Sequence, residues 1–231
     1  MESQKPKIAM YVKRPFGEKL NASFDFLKEN WKLLLKFTTY LLLPLCLIQA
    51  LSLNGLMSGA LSISAIASST AMAASSSSLI AFGSYYGLYM FLYLIGIILL
   101  TSLVYGLIRT YNEREERLQG VTLGMLKPRL FRNIKRLLLM TGACILLVLF
   151  VGIFVGLLVA LTPFTLFLTI PFIIAFSVPL ALLAPIYLFE DITLMEAFKK
   201  TFRLGFATWG GVFLVSLLMG IIANVLQGVT M

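Results

Sequence analysis

The chain has 231 residues, 59% of them apolar and only 13% charged, and its 19 basic and 10 acidic side chains leave a net charge of +9. A soluble domain carries about 25% charged residues, so this composition excludes an ordinary water-soluble fold. Histidine is absent, which removes Ser-His-Asp and Cys-His nucleophiles, His-ligated metals and the HExxH motif together; no GxxxxGK loop or GxGxxG turn offers a nucleotide site.

Residues 37–108, 137–189 and 204–231 contain no charge at all. A charge at the centre of a bilayer helix costs about 2.5 to 3.5 kcal/mol on insertion scales, so runs of this kind are what a chain in hydrocarbon needs. The first 30 residues are too polar and too acidic for a cleavable signal peptide, and the first apolar run is expected to stay as an anchor.

One spanning helix takes about 20 apolar residues, and a run bounded by basic clusters at both ends has to cross an even number of times. Helix 1 is expected near 33–53 and helix 2 near 86–108, separated by an outside Ser/Ala-rich loop over 54–84. Within that loop Leu56, Ala60, Ile63 and Ala67 make one apolar stripe of a short helix resting on the outer surface, the serines acting as spacer. Helix 3 follows near 137–160, then a tight turn at Thr162-Pro163, helix 4 near 164–189 and helix 5 near 207–229.

The expected fold class is therefore all-α, a polytopic helical membrane bundle with about five transmembrane helices plus short amphipathic interfacial elbow helices, residues 1–231 forming a single integral membrane domain. Every Lys and Arg lies in 1–36, 109–136 or 190–203, which places the basic loops 1–32, 109–136 and 190–206 and the N-terminus in the cytoplasm. Trp31, Tyr105, Tyr111, Tyr187 and Trp209 are expected at the inner interface, and Tyr85, Tyr86 and Tyr89 at the outer one. Five spans put the C-terminus outside, with two alternatives open: helix 5 ends at the interface, or a sixth helix follows Met231.

Helix 4 carries Pro171, Pro179 and Pro185, each removing an amide, so a kinked, central helix is expected, its freed carbonyls satisfied by neighbouring helices or by water. Gly152-xxx-Gly156 and Ser216-xxx-Gly220 would let backbones approach closely. Cys46 and Cys144 read as buried apolar fillers. The intramembrane polar residues, among them Gln49, Asn54, Asn224 and Gln227, are uncharged, and interhelical hydrogen bonds averaging about 0.6 kcal/mol account for them. No carboxylate accompanies them, which argues against an ion-coupled transporter. Glu190-Asp191 and Glu113, Glu115 and Glu116 read as helix termination and local pairing with Arg114, Arg117, Lys199 and Lys200.

A weak repeat precedes three of the helices when Trp31-Lys32, Phe131-Arg132 and Phe202-Arg203 are superimposed. In the third copy Thr193-Leu-Met-Glu196 is a capping box, starting a helix with Leu194, Ala197, Phe198 and Thr201 on its apolar side. That helix is expected to lie along the membrane surface before the chain turns in. In the second copy Pro128 fits only a first turn or a kink.

The string Thr193-Leu-Met-Glu-Ala-Phe-Lys-Lys-Thr-Phe-Arg-Leu-Gly, leading through Ala-Thr-Trp into an apolar helix, resembles the elbow of uncharacterised polytopic bacterial families related to the membrane domain of glycerophosphodiester phosphodiesterases. Asn21 to Leu43, with Phe24, Phe26 and Trp31, resembles their N-terminal segment. The resemblance implies a six-helix bundle, against five here, in a bacterial cytoplasmic membrane. It implies no catalysis, because the phosphodiesterase chemistry resides in a separate soluble domain.

Lys127, Arg129, Arg132, Lys135, Arg136, Lys199, Lys200 and Arg203 are the candidate contacts for anionic lipid headgroups, a membrane-protein partner or a second copy of the chain, and Thr193 and Glu196 are capping residues. No catalytic, metal or cofactor-binding residue is expected, and no nucleic acid, since the bases lie at a membrane already rich in competing phosphate. The expected function is that of a non-enzymatic integral membrane protein. The alternative is a transporter or permease moving a small neutral or lipidic solute past helix 4.

Overall fold

A computed structural model of the chain describes residues 7–9, 12–68, 76–162 and 164–229, the side chains of 62–68, 76–78 and 229 excepted. The described residues form seven helical segments: α1 (Phe16–Ser68), α2 (Ser76–Glu113), α3 (Leu123–Leu161), α4 (Thr165–Leu180), α5 (Leu183–Phe189), α6 (Leu194–Ala207) and α7 (Trp209–Val229). Five stretches are long and apolar enough to cross a membrane, α4 and α5 together making one of them, so the chain is a multi-pass helical membrane protein. Its contacts fall into two units, Met1–Lys13 with Glu18–Ile134 and Arg14–Gly17 with Lys135–Met231.

In the first unit the helices run well past the expected ends. α1 has 53 residues, about 80 Å at 1.5 Å per residue, against a hydrocarbon thickness of about 30 Å. The expected loop over 54–84 is helical at 54–68, as the end of α1, and at 76–84, as the start of α2. Leu56 and Ala60 therefore belong to α1 and not to a separate surface helix, while the Ile63 and Ala67 side chains lie outside the described residues. Alanine is the best helix former, and the serines bond back onto their own helices: Ser52 Oγ donates to Ile48 O at 3.1 Å, Ser58 Oγ to Gly55 O at 2.9 Å and Ser84 Oγ to Ile80 O at 2.8 Å. A hydroxyl satisfied in this way does not open the helix.

α1 and α2 pair antiparallel through glycines. A Cβ on Gly55 would lie 2.6 Å from the Tyr85 ring, one on Gly59 3.4 Å from Phe82, and one on Gly96 3.2 Å from Leu45. Gly55-xxx-Gly59 is thus the small-residue motif that brings the backbones together. Gly152 and Gly156, by contrast, have nothing within 4 Å, and so has Gly220. The core of this unit joins Phe26 and Phe37 of α1, Leu103, Leu107 and Tyr111 of α2, Leu118 and Val121 of the connector, and Leu126 and Leu130 of α3. Buried polar contacts fix the α2–α3 register, Ser102 Oγ donating to Leu130 O at 3.0 Å and Asn133 Nδ2 to Ser102 O at 3.3 Å.

The second unit is built on one antiparallel register. Ala197 packs with Leu183 and Tyr187, Gly205 meets Pro179, and the Trp209 indole reaches Ala175, so contacts step back along α5 and α4 as α6 and α7 advance. Helix 4 is broken at Ala181 and Leu182 into α4 and α5. Pro185 then falls in the first turn of α5, where its missing amide had no intrahelical partner to lose. Pro179 leaves the Ala175 carbonyl without its i+4 donor, and Trp209 Nε1–H donates to that oxygen at 3.0 Å. Pro163 lies outside the described residues, so of the expected turn only Thr162 is seen.

The three-fold elbow is seen once. α6 is separated from α7 by Thr208, whose φ of −118° and ψ of 20° are not helical. α1 passes through Trp31-Lys32 and α3 through Phe131-Arg132 without a break, and Pro128 stands inside α3, past its first turn. α6 also has a partner along its length, lying against α5 and then α4.

Candidate functional site

The charged residues gather at the ends of the helices that the apolar runs leave over, and most of them turn out to hold the chain. In the first unit Glu29 of α1 accepts from Arg117 Nη1 at 2.6 Å and from the buried Tyr111 hydroxyl at 3.1 Å. The hydrogen bond to Glu29 holds the Arg117 guanidinium above its ordinary range. Arg117 sits at φ 58° in the connector after α2, a left-handed position that this contact over-determines. Ile8 N–H donates to the Tyr111 hydroxyl at 3.3 Å, and Phe26 meets the Tyr111 ring edge-on at 5.2 Å. Lys7 Nζ donates to the Asn112 and Arg114 carbonyls at 2.7 and 3.1 Å, a cation set on the negative end of α2. Tyr111, expected as an interfacial anchor, is instead fully buried in this knot.

Arg129 of α3 is tied to α2: it is ion-paired with Glu113 and donates to Thr110 Oγ1 at 3.2 Å, while Glu113 also takes Arg109 Nε at 3.0 Å. Lys127 and Lys135 are exposed on α3. Arg132 is exposed as well, and it makes an interaction of its own.

In the second unit Arg136 grips the junction between α5 and α6. Its Nη1 donates to Asp191 Oδ1 at 3.0 Å, its Nη2 to the Tyr187 and Ile192 carbonyls at 2.6 and 2.8 Å, and its guanidinium lies 4.2 Å over the Tyr187 ring. Asp191 is held at φ 52°. The sequence placed Arg136 among outward-facing bases and Tyr187 at the interface, whereas both are engaged inward, Tyr187 in a buried cluster with Leu183 and Ala197. A helix ending in Glu190-Asp191 signalled that a cation was needed there. Which of the bases supplied it depended on the packing of α3 against α5.

The capping box is present at the start of α6: Glu196 N–H donates to Thr193 Oγ1 at 3.4 Å, and Thr193 N–H to Glu196 Oε2 at 3.0 Å. The hydrogen bond from the Thr193 backbone holds the Glu196 carboxyl below the usual carboxylate range. Lys200 Nζ donates to Glu190 Oε2 at 2.5 Å. Glu190, Ile192, Glu196, Lys199, Lys200 and Arg203 line an open groove of about 330 Å³. Lys199 and Arg203 are exposed in it.

Elsewhere Cys46 is an exposed free thiol on α1, not a buried filler, and Cys144 is half-buried on α3. No group of three or more Cys, Asp or Glu side chains is placed to hold a metal among the described residues. Comparison with protein-family models, with curated proteins and with solved structures finds no match to this chain.

Proposed function

We propose that the chain is a non-enzymatic multi-pass protein of a bacterial cytoplasmic membrane, whose basic end faces the cytoplasm and holds anionic lipid headgroups or a protein partner there. The observation that carries this reading is the confinement of every Lys and Arg to 1–36, 109–136 and 190–203, the segments at one end of the apolar runs. A basic side chain near an anionic leaflet contributes about 1 kcal/mol of attraction. Lys127, Lys135, Lys199 and Arg203 are the exposed bases on α3 and α6 that remain for this purpose once Arg129, Arg136 and Lys200 are committed to internal contacts.

The transport alternative rests on the prolines of α4. The donation from Trp209 to Ala175 O supports a packing role for Pro179, because the freed carbonyl is satisfied by protein and not left to line a pathway. Orientation is tested by thiol labelling in intact cells, with Cys46 and Cys144 first replaced by Ala. A cysteine at Ser76 reacts with an impermeant reagent and one at Gln119 does not; the opposite pattern rejects the cytoplasmic placement of the basic end.

A further inference from the structure

We propose that the groove on α6 is a discrete site for one phospholipid, its phosphodiester held by Lys199 and Arg203 and an acyl chain laid along the phenylalanines that lead from α6 onto α4. This rests on the proposed contact between the basic end and lipid, and turns it from a diffuse attraction into a site of stated charge. Lys199 and Arg203 are one helical turn apart and share a face of α6. Neither has a salt-bridged acid among the described residues: Lys200 is paired with Glu190, and Glu196, which feels the charge of Lys199, has its carboxylate hydrogen-bonded in the cap. Three cations against two carboxylates leave the groove a single positive charge, the complement of one phosphodiester. A phosphomonoester brings additional negative charge that the groove does not balance.

An independent feature points to a lipid and not to a soluble phosphodiester. Phe206, seven positions after Lys199 and so on the same face, is 49% exposed. It meets Phe176 of α4 edge-on at 5.5 Å, and Phe176 stacks on Phe172 at 4.8 Å, Phe172 being 62% exposed. The three rings make a continuous exposed aromatic column that starts beside the two bases and leads into the spanning segment. A headgroup at Lys199 and Arg203 delivers its acyl chain onto that column.

The test is retention of phosphatidylglycerol by the purified full-length chain in detergent, read by native mass spectrometry. The wild type is expected to keep one lipid, and Lys199→Gln/Arg203→Gln to lower its affinity about thirty-fold, each base near a phosphate being worth about fivefold. Lys28→Gln/Lys36→Gln, which removes as much exposed charge from α1, outside the groove and outside the bases assigned to headgroups, is expected to leave retention unchanged. Equal losses in the two double variants would overturn the discrete site and leave the general headgroup contact standing; no loss in either would overturn both. Glycerophosphoglycerol at millimolar concentration is expected not to displace the lipid, and full displacement would reject a lipid as the occupant. Phosphatidic acid retained better than phosphatidylglycerol would reject the single-charge match.

Discussion

Replacing Trp209 by Phe removes one hydrogen-bond donor and leaves an aromatic ring in place, so it isolates the role assigned to the indole. Trp209 Nε1–H lies 3.0 Å from Ala175 O, the carbonyl whose helical donor Pro179 lacks. Without the indole that oxygen is unsatisfied in apolar surroundings, a cost of about 1 to 3 kcal/mol. Trp209→Phe also disturbs the stack with Phe213, at 4.9 Å, so its total effect alone proves little. The decisive measurement is a double-mutant cycle with Pro179→Ala, in which residue 179 regains an amide to donate to Ala175. In that background the loss of the indole donor is expected to cost less by about 1 kcal/mol, within the range of up to about 1.7 kcal/mol seen for interhelical hydrogen bonds in membranes. Unfolding of the purified variants in mixed micelles, under one detergent composition, gives the four free energies. Additivity within about 0.3 kcal/mol would refute the assignment of Trp209 as the surrogate donor.

Gly205→Ala is expected to destabilise the second unit by about 1 to 3 kcal/mol, because the new Cβ would stand 2.6 Å from Pro179 Cα, a backbone atom that cannot swing aside. Gly211→Ala, with nothing within 4 Å, is the control and should be neutral or slightly stabilising in the same unfolding assay. Glu196 has its carboxyl held below the usual range in the folded chain, so its capping contribution is fully present above the unfolded carboxylate pKa and is lost as pH falls through the lower folded value. Protection factors of the amides in the first turn of α6, corrected for intrinsic exchange, are expected to fall over that acid window in the wild type and to lose this pH dependence in Glu196→Gln; unchanged profiles would remove the cap from the account.

The number of spanning stretches was legible because charge is expelled from hydrocarbon at a cost of kilocalories, which prints the runs directly onto the sequence. Helix ends were not, since the backbone continues as helix through Trp31-Lys32 and Phe131-Arg132, where the composition changes and the conformation does not. The Ser/Ala stretch misled for a related reason, as serine favours loops when its hydroxyl competes for backbone groups but is compatible with a helix when it folds back onto its own carbonyls, as Ser58 and Ser84 do. Gly55-xxx-Gly59 was hidden inside the segment read as loop, while Gly152-xxx-Gly156 had the spacing without the neighbour. Of the candidate site, the capping box was readable because it is local. Arg136 was not, since its partners lie 51 to 56 positions away and depend on how α3 meets α5. Pro179 did announce a carbonyl in need of a donor at Ala175; that Trp209 answers it follows only from the antiparallel register.

The connector from Glu190 to Thr193 acts as a spacer gauge. Arg136 holds carbonyls on both sides of it, at Tyr187 and Ile192, and downstream the fit of Gly205 to Pro179 and of Trp209 to Ala175 is set by how many residues it contains. One residue gained or lost there either breaks the pair of carbonyl contacts that Arg136 makes across the connector or is passed on to α6, where it moves Gly205 off the proline. The length of the connector, as much as its side chains, is therefore fixed by the contacts on either side of it.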